Sequence, residues 1–277
     1  MLNILTIDIE DYYHVSAFES VVQRDDWGKF ESRVVDNTMR ILSILKAFNT
    51  KATFFVLGWV AEQYPQIVKY IEQDGHEVAS HSYDHRLIYD QSKEEFREDI
   101  RKTKAILESI ISNEVLGYRA TSYSITEKSL WALDILVEEG FLYDSSIFPI
   151  IHDIYGIPNA KRFPHIILDK EKNRLWEFPL STIRLLGANV PIAGGGYFRL
   201  FPYGFTRWAI RRLNKVGHPA IVYIHPWEID PHQPRLSGSR ISRFRHYTNL
   251  DKTETRLESL LQEFNFVPIR SFLNLWK

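Results

Sequence analysis

Short apolar runs alternate with amphipathic stretches along much of this chain, and that rhythm points to a parallel sheet flanked by helices. Residues 3–8 read as a strand, 33–48 as a helix with Val34, Ile41, Leu42 and Leu45 near helical spacing, and 52–57 as a second strand. A helix over 59–73 is expected to end at Gly75 in a left-handed cap, before a strand at 76–80. Ser92-Lys93-Glu94-Glu95 is a capping box that opens a helix to about residue 110. A strand at 115–118, a helix over 127–139 ending at Gly140, and a strand from 141 follow.

Beyond residue 147 the rhythm weakens. Residues 148–174 show no clear period, 175–180 read as a strand, and 185–203 as a structured loop in which Gly194-Gly195-Gly196 make a tight turn. A helix at 204–216, a strand at 219–224, a second capping box at Asp251-Lys252-Thr253-Glu254 opening a helix over 252–264, and a final apolar run at 266–269 complete the chain. Roughly seven or eight strands alternating with helices imply an α/β fold of (β/α) barrel type, TIM-like but distorted or incomplete, with C-terminal embellishments. One domain over 1–277 is expected, its second half, 148–277, completing the barrel and shaping a substrate groove.

In such a barrel, chemistry collects at the C-terminal ends of the strands. Polar residues at these positions are Asp8, Glu10 and Asp11 after the first strand, His81 and His85 after the third, Arg119, Asp144, Glu177 on the 175–180 run, and His225. The chain has no cysteine, so any metal must sit on His, Asp or Glu. Two imidazoles four residues apart, joined by a carboxylate, leave coordination positions open for water and substrate, the pattern of a catalytic ion. Clustered acids resist joint ionisation unless a cation neutralises them. Arg119 is placed to orient a carboxylate, and His225 to act as a general acid. Trp227 and Tyr197 are candidates to stack on a sugar ring, although most aromatic residues here are expected to pack in the core.

Other classes are disfavoured. With 34 Lys and Arg against 35 Asp and Glu, the net charge of −1 gives no footprint for nucleic acid. No apolar run approaches the ~18 residues of a membrane span. The first apolar run is interrupted by Asp8 and Glu10, so it reads as a strand rather than a secretory signal, and a cytoplasmic location is expected.

At these residues the chain resembles the polysaccharide deacetylase family, also called NodB-homology or carbohydrate esterase family 4, and within it the subgroup linked to exosortase and exopolysaccharide loci. Thr6-Ile7-Asp8-Ile9-Glu10-Asp11 is similar to its first motif, His81-Ser82-Tyr83-Asp84-His85 to its second, Arg119-Ala120-Thr121-Ser122-Tyr123 to its third and Tyr223-Ile224-His225 to its fifth. The subgroup resemblance adds Gly194 to Arg199, His225-Pro226-Trp227-Glu228 and Arg245-His246-Tyr247. The resemblance implies hydrolysis of N-acetyl groups on amino sugars of a polysaccharide or a lipid-linked precursor. It further implies a divalent metal, zinc, on His81, His85 and either Glu10 or Asp11. Asp8 would be the base, held by Arg119. His225 would be the acid, supported by Asp144 or Glu177, and a backbone N–H near Tyr123 would help hold the oxyanion. A deformylase or allantoinase-like amide hydrolase on the same centre, or a non-catalytic carbohydrate-binding relative, are the alternatives.

Overall fold

The computed structural model describes residues 1–170, 173–192 and 194–276, with side chains through residue 273. The fold is mixed α/β with a mainly parallel sheet, the class expected of a distorted (β/α) barrel. Among the described residues the strands are β1 (Leu2–Ile9), β2 (Thr53–Val56), β3 (Glu77–Ser80), β4 (Gly117–Tyr118), β5 (Tyr143–Asp144), β6 (His165–Lys170), β7 (Asn173–Glu177), β8 (Thr182–Leu185), β9 (Ala188–Pro191), β10 (Ile221–Ile224) and β11 (Asn265–Val267). The chain forms two compact units. One comprises Met1–Thr53, Gln73–Glu77 and Ile192–Lys277, the other Phe54–Glu72 and Val78–Pro191.

In the first unit β1 is the organising strand. It is buried from Asn3 to Ile9, which explains its nearly continuous apolar sequence. Its one early polar residue is satisfied: Asn3 accepts from the Ala220 N–H at 2.8 Å and donates to Asn214 Oδ1 at 3.2 Å. β1 pairs in parallel with β10, from Ile4↔Ile221 to Ile7↔Ile224, and with β11. That register brings the next residues, Asp8 and His225, out at the same level.

The helix Leu250–Glu263 begins before the expected capping box. Asn249 holds the cap in the left-handed region at φ 54°, with no side-chain cap bond, and Asp251 lies inside the first turn. Asn tolerates that conformation, so the chain enters the helix two residues ahead of the Asp-x-x-Glu pattern. Asp251 then complements the helix dipole instead of capping it.

Gly194 bridges to Tyr223 of β10 with φ 139°. A Cβ there would sit 1.7 Å from the Tyr223 carbonyl oxygen, so only glycine allows this approach. The turn expected around Gly194 to Gly196 thus becomes the start of a helix, Gly195–Leu200, laid directly against β10.

In the second unit the strand order is β2-β3-β4-β5-β7-β6. The parallel pairs β3/β4, β4/β5 and β5/β7 align Ser80, Tyr118, Asp144 and Glu177 in one row. The helix Lys93–Ile110 opens with the predicted capping box, Ser92 accepting from Glu95 N and Glu95 from Ser92 N. The helix expected over 59–73 is instead two, Gly58–Gln63 and Pro65–Gln73. Pro65 lacks an N–H and forces Tyr64 out of helical geometry, to φ −132°. The segment expected to be irregular contributes β6, which pairs antiparallel with β7, and β8 and β9 form a second hairpin. β6 is half-buried or exposed along its whole length, so it carries no clean alternation to read.

Candidate active site

Asp8, Glu10 and His225 meet at the shared end of β1 and β10, and all three side chains are largely withdrawn from solvent. His225 Nε2 lies 3.3 Å from Glu10 Oε1 and 3.8 Å from Asp8 Oδ2, while Nδ1 contacts Glu228 Oε1. Burial alone would lower the pKa of this imidazole. Glu10, Glu228 and Asp8 outweigh it and push His225 up to about 9. His225 is therefore a protonated donor in this setting.

The expectation that Asp144 or Glu177 supports His225 is corrected here, because the acid at its Nδ1 is Glu228. Glu228 is wholly buried and is itself held by Arg199, whose Nε donates at 3.0 Å. Arg199 also donates to the carbonyls of His246, at 2.8 Å, and Thr248, at 3.0 Å. Sequence reasoning noted Glu228 within His-Pro-Trp-Glu but gave it no role. Its spacing of three from His225, at the start of the helical turn Pro226–Ile229, was the available signal.

Trp227 is packed between two imidazoles, its ring centroid 5.1 Å from His225 and 4.1 Å from His246. Its indole N–H donates to Glu10 Oε1 at 3.4 Å. At 4 % exposure it forms the wall behind His225 rather than an open sugar platform. Burial foremost, then the charges of Arg199 and His225, drive the pKa of His246 well below its ordinary value, so its ring is neutral. Tyr197 sits half-buried on the Gly195–Leu200 helix that carries Arg199.

Asp11 faces another task. Its Oδ1 accepts from Tyr12 N at 3.0 Å, and its Oδ2 accepts from Ser32 Oγ at 2.8 Å, Arg33 N at 2.8 Å and Val34 N at 3.1 Å. It thus caps the helix Val34–Ala47 from a distance, satisfying N–H groups that have no partner within the helix. Of the two acids considered as a metal ligand, Glu10 is the one beside His225.

In the second unit, His81 and His85 are buried on the loop after β3, their rings 5.9 Å apart and nearly perpendicular. His81 Nδ1 lies 2.8 Å from the Arg119 carbonyl oxygen. A carbonyl only accepts, so Nδ1 carries the proton and Nε2 presents its lone pair, the form a metal needs. The loop is pinned by the bonds Gly58 N to Ser82 O, Trp59 N to Tyr83 O and Tyr83 N to the Asp99 carboxylate. Asp99 was not anticipated. Burial raises it to about 7, against the hydrogen bond from Tyr83. Ser82 and His85 adopt φ values of 62° and 58°, conformations that this pinning sustains.

Arg119 is fully buried over the Phe55 ring, and Ser145 accepts from it through both carbonyl (3.0 Å) and hydroxyl (2.8 Å). Asp144 and Glu177, register partners on β5 and β7, lie in the same buried layer. Ser146 Oγ donates to Asp144 and the Ile147 N–H to Glu177. The two carboxyls titrate as a pair: burial raises Asp144 to about 6, and burial plus the neighbouring Asp144 raises Glu177 well above the usual range. One shared proton between them satisfies this geometry. Tyr123 packs edge-on against Phe148 and Tyr155, and its backbone N–H donates to the Ala120 carbonyl at 3.0 Å.

Residues 25–136 match the family model described as polysaccharide deacetylase, and residues 145–274 match one described as a domain of unknown function, DUF3473. His81, His85 and Arg119 fall in the first match; Arg199, His225 and Glu228 fall in the second. The peptidoglycan-N-acetylglucosamine deacetylase of Bacillus cereus is 43% identical over 81 residues, which are 29% of this chain and 28% of that protein. The chitooligosaccharide deacetylase of Azorhizobium caulinodans is 29% identical over 99 residues, 36% of this chain and 45% of that one. The chain thus spans less than half the length of either relative. Its fold is similar to that of a solved structure from Pseudomonas aeruginosa titled "probable Polysaccharide deacetylase", with TM-score 0.64, 14% identity and coverage of 99% and 89% of the two chains. It is also similar to that of peptidoglycan deacetylase PdaC from Bacillus subtilis, with TM-score 0.52, 15% identity and coverage of 99% and 90%.

Proposed function

We propose that this chain, which carries a polysaccharide deacetylase domain, removes N-acetyl groups from the amino sugars of a polysaccharide or its precursor, releasing acetate and a free amine. The observation that carries this reading is the buried His81/His85 pair with the His81 tautomer set for ligation by a backbone carbonyl. As the family resemblance implies, a carboxylate joins the pair, and two imidazoles with one carboxylate suit a divalent ion such as zinc. An ion bound there supplies Lewis acidity, activating water and polarising the acetyl carbonyl.

The protein's own groups do the proton work. Asp8 accepts the proton of the attacking water. His225, held protonated by its three carboxylates, donates to the sugar nitrogen as the C–N bond breaks. Glu228 and Arg199 hold the imidazole in place so that Nε2 faces the reacting centre. The reading extends to a role in exopolysaccharide synthesis in the cytoplasm, in keeping with the subgroup resemblance; among the described residues no helix is long and apolar enough to cross a membrane.

The test is acetate release from N-acetylated chitooligosaccharides by the zinc-loaded protein. Stripping with a chelator should abolish it and zinc should restore it, and Asp8→Asn should lower kcat by about 10³-fold, within the range for a lost general base. A variant that keeps most of its rate removes Asp8 from the base role. Metal-independent acetate release refutes the reading altogether.

A further inference from the structure

Between Asp230 and Asp251 lie twenty residues with four arginines and no acid. Three of those arginines, Arg235, Arg240 and Arg243, line one cavity of about 440 Å³ together with Phe244 and Tyr247. No acid lines this cavity, and among the described residues no ion pair involves Arg235, Arg240 or Arg243. By contrast, Arg199 in the same unit is neutralised by Glu228 at 3.0 Å and Arg211 by Glu263 at 2.8 Å. Three guanidinium groups gathered without a counter-charge repel one another, and an anion in their midst relieves that repulsion. Their forked N–H donors suit phosphate oxygens.

The cavity is not purely polar. Phe244, one of its walls, is 61% exposed, and Ile241, three residues earlier on the helix Arg240–Tyr247, is 65% exposed. Residues three apart are neighbours on a helix surface, as are Arg240 and Arg243, so an apolar edge runs beside a basic one. A soluble polyanion would leave the apolar edge in water. A phosphate carried on an apolar chain uses both.

The geometry points to a binding site for a phosphate group attached to a lipid chain. The site touches the candidate active site through its rings. The Arg235 guanidinium lies 4.2 Å over Tyr247, which meets His246 edge-on at 4.6 Å, and His246 stacks on Trp227, which stacks on His225. A ligand in the cavity stands at the outer end of the column whose inner end is the proposed proton donor. Binding there requires no metal, so a failed deacetylase assay would leave this inference standing, and the reverse also holds.

The experiment is co-sedimentation of the full chain with vesicles of phosphatidylglycerol mixed into phosphatidylcholine, against phosphatidylcholine alone, with inorganic pyrophosphate titrated separately. The expected result is binding to the anionic vesicles that weakens with salt. It should fall about tenfold or more in R240Q/R243Q, because each basic residue near an anionic surface contributes to affinity. Phe244→Ser should lower vesicle binding several-fold and leave pyrophosphate binding unchanged. Equal partition onto both vesicles, or an unchanged R240Q/R243Q protein with native circular dichroism, overturns the inference. So does pyrophosphate binding without vesicle binding, which would make the ligand a soluble phosphate.

Discussion

Histidines serve opposite ends of the proposed chemistry here, and the contrast between them lies in what their Nδ1 atoms face. His225 Nδ1 meets the Glu228 carboxylate, with Glu10 and Asp8 on its other side, and is driven to hold two protons. His81 Nδ1 meets the uncharged Arg119 carbonyl, which fixes one proton and leaves Nε2 bare. One residue type therefore becomes a proton donor or an electron-pair donor according to whether its neighbour carries charge. Each role also has its own buttress: a buried Arg199–Glu228 ion pair for the first, and a loop tied down through Asp99 for the second.

If that division holds, damage to each buttress should read out differently. The largest effect is expected for Glu228→Gln. It keeps a hydrogen-bond partner for Nδ1 but removes the charge, so kcat should fall about 10- to 100-fold, as for other orienting partners. The alkaline limb of the rate profile should move to lower pH, because a raised imidazole pKa falls back when a carboxylate is lost. Zinc content should not change; a loss of zinc would dissolve the distinction between the two ends. Asp99→Ala should do the reverse. With the Tyr83 N–H left unpaired, zinc affinity in a competition titration should drop about tenfold while the pH limbs stay in place.

The smallest effect concerns the shared-proton pair behind Arg119. Glu177 has its pKa raised in the folded state, so the protein binds that proton more tightly than the unfolded chain does. Stability is then greatest at low pH and declines as pH rises through the folded pKa. Glu177→Gln supplies a permanent donor to Asp144 and should flatten that decline. A melting-temperature rise of about 2–4 °C at pH 8, corresponding to about 1 kcal/mol, with little change at pH 5, would match. A lower melting temperature at both pH values would mean that the pair does not share a proton.

What was legible in the sequence follows from how local its cause was. The Ser92 capping box and the left-handed Gly75 were readable because a few adjacent residues decide them. The strand-end rule singled out Asp8, Glu10 and His225, which the register of β1 with β10 brings together, and His81, His85 and Arg119, which lie near one another in the second unit. Pro65 was visible and should have split its helix. Other features depended on distant neighbours. Asp11 looks like a ligand until Ser32, Arg33 and Val34 arrive at its oxygens. The β8/β9 hairpin is held by backbone pairing, which leaves little pattern in side chains. The Asp251 box failed because Asn249, two residues earlier, could take a backbone conformation that the pattern does not encode.

Gly194 lets backbone ride on backbone where it crosses Tyr223, and five residues later the same segment delivers Arg199 to Glu228. A single methyl group at that crossing would act as a wedge, lifting the segment from β10 and slackening the grip on Glu228. The acidity of an imidazole thus hangs on the thinness of a main chain at another crossing.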